Sequence, residues 1–423
     1  MPTEKAIYTP DSSLKLFLSI DLAGSTSLKQ AIGQSHNRHE DKELIYDTHS
    51  WRHALLSFYT SFPHLFKIEW NRYSEKMNQL GIDPGDSPKF WKGLGDELIY
   101  YKTITDSRQT LWCINSWIKA VKRFRKEIKE NYALLDVKAT AWTAGFPIVN
   151  TEVVLPISAQ DLSQGNHKQH DSLDDLVADH TKLLSQFYLK AEDNTKALSL
   201  DFFGPSFDTG FRLGKLSSPD KMPISVELAY ILSCVIQFIE KDRRFTDENN
   251  WRGNDIYEDE HRAINYQGKE ELKGVLGGLP YPIFYLDTFD TDDLAVRSER
   301  EIEAKSAHTW KPKDYKNIED FCKHFINKIN NEKVMVVPYI ESSTERTIES
   351  ERTEKHKMYT LALQKYLTQL QEKDAEQEES LQQKDQKPDS ENSQHLKQSL
   401  EKAIRDFDSL VKILDTHSGK HNK

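Results

Sequence analysis

Cysteine is scarce in the 423-residue chain: there are three, Cys113, Cys234 and Cys322, far apart and odd in number. With no Cys-x-x-Cys pair and no Cys/His cluster, neither a disulfide framework nor a structural zinc site is expected. Long apolar runs are missing too. None approaches the ~18 residues that a membrane span needs, and the N-terminal MPTEKAIYTPDSS lacks the apolar centre of a secretion signal. Positive charge is not in excess: 57 Lys and Arg stand against 67 Asp and Glu, a net charge of −10. That balance argues against a nucleic-acid surface and leaves room only for a local basic pocket that could hold phosphates. No Gly-rich phosphate loop appears. The expectation is a cytoplasmic, reduced protein with neither a membrane nor a nucleic-acid partner.

What is present is a mixture of helical and strand patterns. LKLFLSIDL (14–22) reads as a buried strand, ended by Asp21 and an AGST turn. Residues 40–80 carry aromatic-rich helical periodicity. GIDPGDSPKFWKGLGDELIYYKTI then gives a loop, a strand, a tight Gly turn and a second strand, a hairpin with an acid at its tip. A helix is expected over 108–131 and a strand over 133–149. Residues 158–198 are polar and His-rich, an insertion or long loop. DFFGPSFDTGFRLGKLS is a short strand running into a helix, and PISVELAYILSCVIQFIE a strand start followed by an apolar helix. Residues 240–265 read as a charged loop, and 270–287 as two short strands around a Gly-Gly turn. A helix over 316–331 and a short strand over 334–340 follow.

This order predicts an α+β domain over 11–290, interrupted near 158–198, then a small accessory segment over 291–345. From 346 to 423 the chain is a charged helical tail. Met358, Leu361, Leu367 and Leu370 form one short stripe, Leu396, Leu400, Ile404, Phe407, Val411 and Leu414 another, with a Glu/Gln/Lys-rich linker containing Pro388 between them. Two surface helices on a flexible tether account for it; a coiled-coil or partner-binding tail is the alternative.

Two acids stand at strand ends, Asp21 in FLSIDLAGST and Asp96 in WKGLGDEL. An acid at a turn is ordinarily a solvated loop acid. Here Asp21 opens a Gly/Ser/Thr turn whose backbone N–H groups suit a triphosphate, and Asp96 sits at a Gly-flanked tip. If the two strands are neighbours, both carboxylates face one point and repel unless a divalent cation lies between them, with magnesium or manganese as the natural occupant.

These motifs resemble the class III nucleotidyl cyclases, over roughly residues 11–290. The resemblance implies a ferredoxin-like cyclase domain, with a helical, partly disordered C-terminal extension appended, and two divalent metal ions, Mn²⁺ or Mg²⁺, held by Asp21, Asp96 and the backbone carbonyl of Leu22. A third motif, DFFGPSFDTGFRLG, is similar to the family's substrate segment and implies that Arg212 stabilises charge on the α-phosphate as the ribose 3′-oxygen attacks, a task suited to a planar guanidinium. Asp208 stands where the family has a ribose-contacting Asn. A carboxylate cannot donate a hydrogen bond unless protonated, so either the ribose is held differently or Asp208 is a helix N-cap. Lys92 and Asp201 match the family's base-recognition pair, with Lys donating to a ring nitrogen and Asp accepting from an exocyclic amine. Adenine and cytosine both offer that face, and uracil meets it through O4 and N3–H after a small shift, so the pair does not separate adenine from the pyrimidines. ELKGVLGGLPYPIFYLD is similar to the family's closing strand pair and puts Lys273 at the terminal phosphates.

Each part occurs once, so the resemblance implies a homodimer with two shared active sites. SIDLAGSTSLK, KGLGDELIYY and DFFGPSFDTGFRL look closest to the bacterial anti-phage Pycsar pyrimidine cyclases. That implies conversion of a pyrimidine nucleoside triphosphate to cyclic CMP or cyclic UMP and diphosphate, with the effector reached only through the product; the Lys92–Asp201 pair favours CTP of the two. The alternatives are an adenylate cyclase, a uridylate cyclase, and a non-catalytic nucleotide-binding homologue working through its tail.

Overall fold

The computed structural model describes residues 13–35, 51–147, 149–156, 198–241, 264–288 and 314–330, with isolated positions at 184, 187, 298, 302, 335 and 338–340. The chain divides into two compact units, Asp11–Ile157 with Ala197–Arg352, and Met1–Pro10 with Ser158–Lys196 and Thr353–Lys423. The strands and helices described in full all belong to the first. Nearly all of the expected insertion near 158–198, and all of the tail from 346, lie outside the described residues.

The elements are β1 (Ser13–Ala23), α1 (Ser25–Ser35), α2 (Trp51–Gln79), β2 (Lys89–Leu94), β3 (Glu97–Ile104), α3 (Arg108–Asn131), β4 (Asp136–Phe146), β5 (Thr151–Pro156), β6 (Leu198–Phe203), α4 (Pro205–Gly214), β7 (Lys221–Ile224), α5 (Val226–Lys241), β8 (Ile264–Glu270), β9 (Tyr281–Asp287) and α6 (Tyr315–Asn330). Seven strands form one sheet in the order β2-β3-β1-β4-β7-β9-β8, antiparallel except where β4 meets β7, and β5 pairs β6 in a separate antiparallel hairpin. From β1 to β4 the order is strand, helices, strand, strand, helix, strand, with β1 between β3 and β4. This is the ferredoxin-like βαββαβ arrangement, and the α+β expectation holds.

Strand β1 lies at the centre and is covered on both faces. Leu14, Leu16, Leu18, Ile20 and Leu22, every second residue, enter the main core beneath α2 and α3. There Phe62 and Phe66 of α2 meet Trp117 of α3 edge-to-face, at 4.9 and 4.8 Å between ring centres. On the opposite face Phe17 stacks on Trp142 of β4 (5.5 Å) and meets Phe202 of β6 (5.1 Å) and Phe207 of α4 (4.7 Å) edge-on. Such pairs add about 0.5–1.5 kcal/mol each beyond simple burial. Gly210 lets α4 sit down on this layer, since a Cβ there would lie 2.3 Å from the Trp142 ring. The hairpin and α4, which carry the third motif, are thereby fixed to the sheet.

Two local expectations are corrected. The closing strand pair is not contained within 270–287: β8 begins upstream at Ile264, and the chain turns through a single 3₁₀ turn, Leu276–Gly278, before β9. Gly274, Gly277 and Gly278 have φ of 78°, 62° and 89°, a conformation that breaks strand pairing. Strand β8, INYQGKE, is a half-exposed sheet edge, so its polar residues read as a loop. Over 334–340, Met335 and residues 338–340 form no strand, and the other positions lie outside the described residues. Helix α6 packs on α5 and on the β8–β9 pair, burying Ile318, Cys322 and Ile326 and setting Phe321 5.6 Å from Tyr266. All three cysteines are free and buried. Among the described residues no helix is long and apolar enough to cross a membrane.

Where α5 begins, the Ser225 hydroxyl accepts the Leu228 N–H (3.2 Å) and the Tyr281 hydroxyl accepts the Val226 N–H (2.9 Å). Glu227 lies in this first turn. The residue keeps some exposure, but its carboxyl is enclosed, and burial raises its pKa to about 7 despite hydrogen bonds from Ser225 and Tyr281. The folded state therefore holds this proton more tightly than the unfolded chain does. Stability is lost as pH rises from the ordinary carboxyl range through 7, by up to about 3 kcal/mol. Glu227→Gln, which cannot ionise, is expected to raise the melting temperature at pH 8 and leave it nearly unchanged at pH 4. Equal gains at both pH values would exclude ionisation as the cause.

Candidate active site

The first cluster forms where β1 ends. Asp21 lies in register with Glu97 on β3 and Lys138 on β4. The chain then turns at Gly24, with φ of 88° and no room for a Cβ, which would stand 2.5 Å from the Leu134 carbonyl oxygen. Strands β2 and β3 are joined by two residues, Gly95 (φ 73°) and Asp96, in the tight hairpin read from the sequence. The Leu22 N–H donates to the Asp96 carbonyl oxygen at 2.9 Å, and the Ser25 hydroxyl donates to the Asp96 carboxylate. These two bonds tie the hairpin tip to the end of β1, so Asp21, Leu22 and Asp96 come together at one corner.

The charges at that corner are coupled. Lys138 Nζ stands 2.9 Å from an Asp21 carboxylate oxygen. Glu97 accepts a hydrogen bond from the Ser19 hydroxyl. Burial raises the Glu97 pKa, the negative charges of Asp21 and Asp96 add to the effect, and Ser19 and Lys138 oppose it. Oxygen donors of this kind suit a hard divalent cation, and the Lys138 ammonium already sets positive charge against Asp21. Asp21 and Asp96 are the acids at this corner that would hold such an ion, in place of the present contacts of Asp21 with Lys138 and of Asp96 with Ser25. Among the described residues no group of three His, Cys, Asp or Glu is placed to hold one. Sequence reasoning missed Lys138, Glu97 and Ser25. Strand register was the one signal available for the first two, through the positions opposite Asp21.

The second cluster joins residues 109 positions apart. Lys92 Nζ lies 2.7 Å from Asp201 Oδ1, with both side chains partly exposed. The register of β2 shifts between Phe90 and Lys92. In this bulge the Lys92 ammonium comes to rest 4.0 Å from the centre of the Trp91 ring, a favourable cation–ring contact. Trp91 itself packs on Phe202 and Phe17, at 5.1 and 5.6 Å. Of the aromatics flanking the pair, Phe202 is therefore core, Phe203 is exposed, and Trp91 bridges the core and Lys92.

The third cluster lies at the far end of α4. Arg212 donates from Nε to the backbone carbonyl of Lys273 at 3.1 Å, so these two candidates are neighbours. Lys273 is exposed in the turn between β8 and β9, not on a strand as the closing-pair reading expected. Asp208 is exposed one turn before Arg212. It is not the helix N-cap: Gly204 holds that position, and the cap interaction comes from Asn150, whose side-chain oxygen accepts the Ser206 N–H at 3.1 Å. Asn150 also donates to the Gly145 carbonyl at 2.9 Å. A side chain at Gly204 would collide with Asn150, its Cβ 2.5 Å from Oδ1. Nothing in the sequence marked Asn150. Among the described residues no hydrogen bond or ion pair links the Asp21–Asp96 corner to Lys92, Asp201 or Arg212.

No protein-family model matches the chain, and no curated protein matches it in sequence. Among solved structures it is similar to the adenylyl cyclase CyaB from P. aeruginosa, at 12% identity and a TM-score of 0.32 over 67% of this chain and 98% of that one. It is similar to the guanylyl cyclase Cya2 at 11% identity and a TM-score of 0.30, over 66% and 93%. The guanylate cyclase domain of RhGC from Catenaria anguillulae in complex with GTP has 10% identity and a TM-score of 0.30, over 66% and 98%.

Proposed function

We propose that the chain is a nucleotide cyclase, converting a nucleoside triphosphate to its 3′,5′-cyclic monophosphate. The observation that carries this reading is the tie between Leu22 and Asp96, which brings two strand-end acids to one corner. In this reading Asp21, Asp96 and the Leu22 carbonyl hold two divalent ions, manganese or magnesium. When bound, those ions supply positive charge to the phosphate oxygens and the attacking hydroxyl. The ribose 3′-hydroxyl gives up its proton to solvent water, its oxygen forms the new bond to the α-phosphorus, the bond from that phosphorus to the oxygen bridging the α- and β-phosphates breaks, and diphosphate leaves with that oxygen. Arg212 stabilises the charge on the α-phosphate, and Lys273 binds the terminal phosphates beside it. Asp208, exposed and outside the cap, is free to face the ribose. The product serves as a second messenger in anti-phage defence and acts on a separate effector.

Lys92 and Asp201 read the base. Their ion pair already sets a donor and an acceptor side by side and within reach of solvent. Cytosine presents N3 and N4–H₂ to such a pair, and adenine N1 and N6–H₂. Uracil would set O4 against a carboxylate. A buried polar group without its partner costs about 1–3 kcal/mol, about one to two decades in rate per mismatch. We expect CTP to give the highest kcat/KM of the four nucleotides with manganese, ATP and UTP lower values, and GTP the lowest. Asp201→Asn should narrow the gap between CTP and UTP, because an amide both donates and accepts. ATP as the clear favourite would replace the pyrimidine reading with an adenylate cyclase. No cyclic product from any nucleotide would favour a non-catalytic nucleotide-binding protein.

A further inference from the structure

We propose that Tyr59, on the outer face of α2, is a positioning residue for Asp96, acting through the backbone of the β2–β3 turn. The inference rests on the reading of Asp96 as a metal ligand. The turn has two residues, and its first, Gly95, is the most permissive residue the backbone can use, here at φ 73°. Left to itself, a glycine before the acid would let the Asp96 carboxylate sample several directions. Three contacts restrain it. The Leu22 N–H binds the Asp96 carbonyl and the Ser25 hydroxyl binds the Asp96 carboxylate, both from the β1 side. From the other direction the Tyr59 hydroxyl donates to the Gly95 carbonyl oxygen at 2.8 Å. That carbonyl belongs to the peptide linking Gly95 to Asp96, so the bond fixes the plane from which Asp96 departs.

Gly93 supports the same conclusion. It lies within β2 with no positive φ, so backbone conformation does not call for glycine there. What calls for it is Tyr59: a Cβ at 93 would lie 2.7 Å from the Tyr59 hydroxyl and 3.2 Å from its ring. The missing side chain is the space through which the tyrosine reaches the turn. Tyr59 is itself 37% exposed, so its hydroxyl is not required to fill the core.

The test is manganese binding to the full chain, read from the electron paramagnetic resonance signal of the free ion with manganese alone as the probe, beside the melting temperature in EDTA. Tyr59→Phe keeps the ring and removes the hydroxyl. It should weaken manganese binding about tenfold, the loss typical of a group that orients a ligand, while the melting temperature changes little. Gly93→Ala keeps the hydroxyl but displaces it, should give the same weakening, and decides the matter if Tyr59→Phe fails to fold. Asp96→Asn is the reference. If it abolishes manganese binding while Tyr59→Phe and Gly93→Ala bind as the unaltered protein does, the role of Tyr59 is overturned. If Asp96→Asn itself binds manganese normally, the metal reading beneath the proposal fails instead.

Discussion

Asp96→Ala is expected to lower kcat by about three decades or more, a loss of about 4 kcal/mol of transition-state stabilisation. The proposed role makes Asp96 a ligand shared by both ions, so its removal leaves neither ion with its full donor set. Asp21→Ala should do the same. Neither change should unfold the chain. Asp96 sits at a two-residue turn whose backbone bond to Leu22 does not involve its side chain, and the ion pair of Asp21 with Lys138 is partly solvated, with side-chain exposures of 29% and 30%. Product formation by each variant, measured with manganese and with magnesium beside its melting temperature, checks this. Turnover like that of the unaltered protein in either variant would remove the residue from the metal site, and full activity in EDTA would remove the metals altogether.

Why this corner could be read from the sequence, and other parts could not, comes down to range. Strand β1 announces itself by alternation alone, and the β2–β3 hairpin by glycine at a position where the turn needs positive φ. Both acids are local to those signals. The pairing of Lys92 with Asp201 is not local. It requires β2 and β6 to meet across more than a hundred residues, and only the family resemblance pointed to it. Lys138 was hidden for a related reason: one lysine among many acquires its meaning only when β4 is laid beside β1 in register. Asn150 was invisible because its role depends on α4 returning to the start of β5. The β8 strand was missed because edge strands face water on one side and lose the apolar pattern that marks β1. Phe202 and Trp91 adjoin the Asp201–Lys92 pair in sequence, and their places are set by contacts distant in the chain: the Phe17 layer claims Phe202 as core, and Trp91 both packs on that layer and supports Lys92.

Asp96→Ala and Arg212→Ala, each inactive alone, are expected to recover activity when the two proteins are mixed and their subunits exchange. In the proposed reading the Asp21–Asp96 corner holds the metal-binding acids, while Lys92 and Asp201 contact the base and Arg212 the α-phosphate. No hydrogen bond or ion pair joins these sets among the described residues. If one active site takes its acids from one chain and its base pair and arginine from another, a two-fold dimer holds two equivalent sites. In a mixed dimer one site then carries both lesions and the other carries neither. Random exchange at equal concentrations makes half the dimers mixed, each with one intact site, so activity should rise from near zero to about a quarter of the unaltered level. Subunit exchange is verified independently by fluorescence transfer between labelled chains. Exchange without rescue would mean that each chain completes its own site, and so would full activity in a species that light scattering shows to be monomeric. Recovery near one quarter, together with a doubly altered chain that leaves only about a quarter of the unaltered level when exchanged at equal concentration with unaltered chain, and not the half expected of self-contained sites, would assign the acids and the arginine of each site to different subunits.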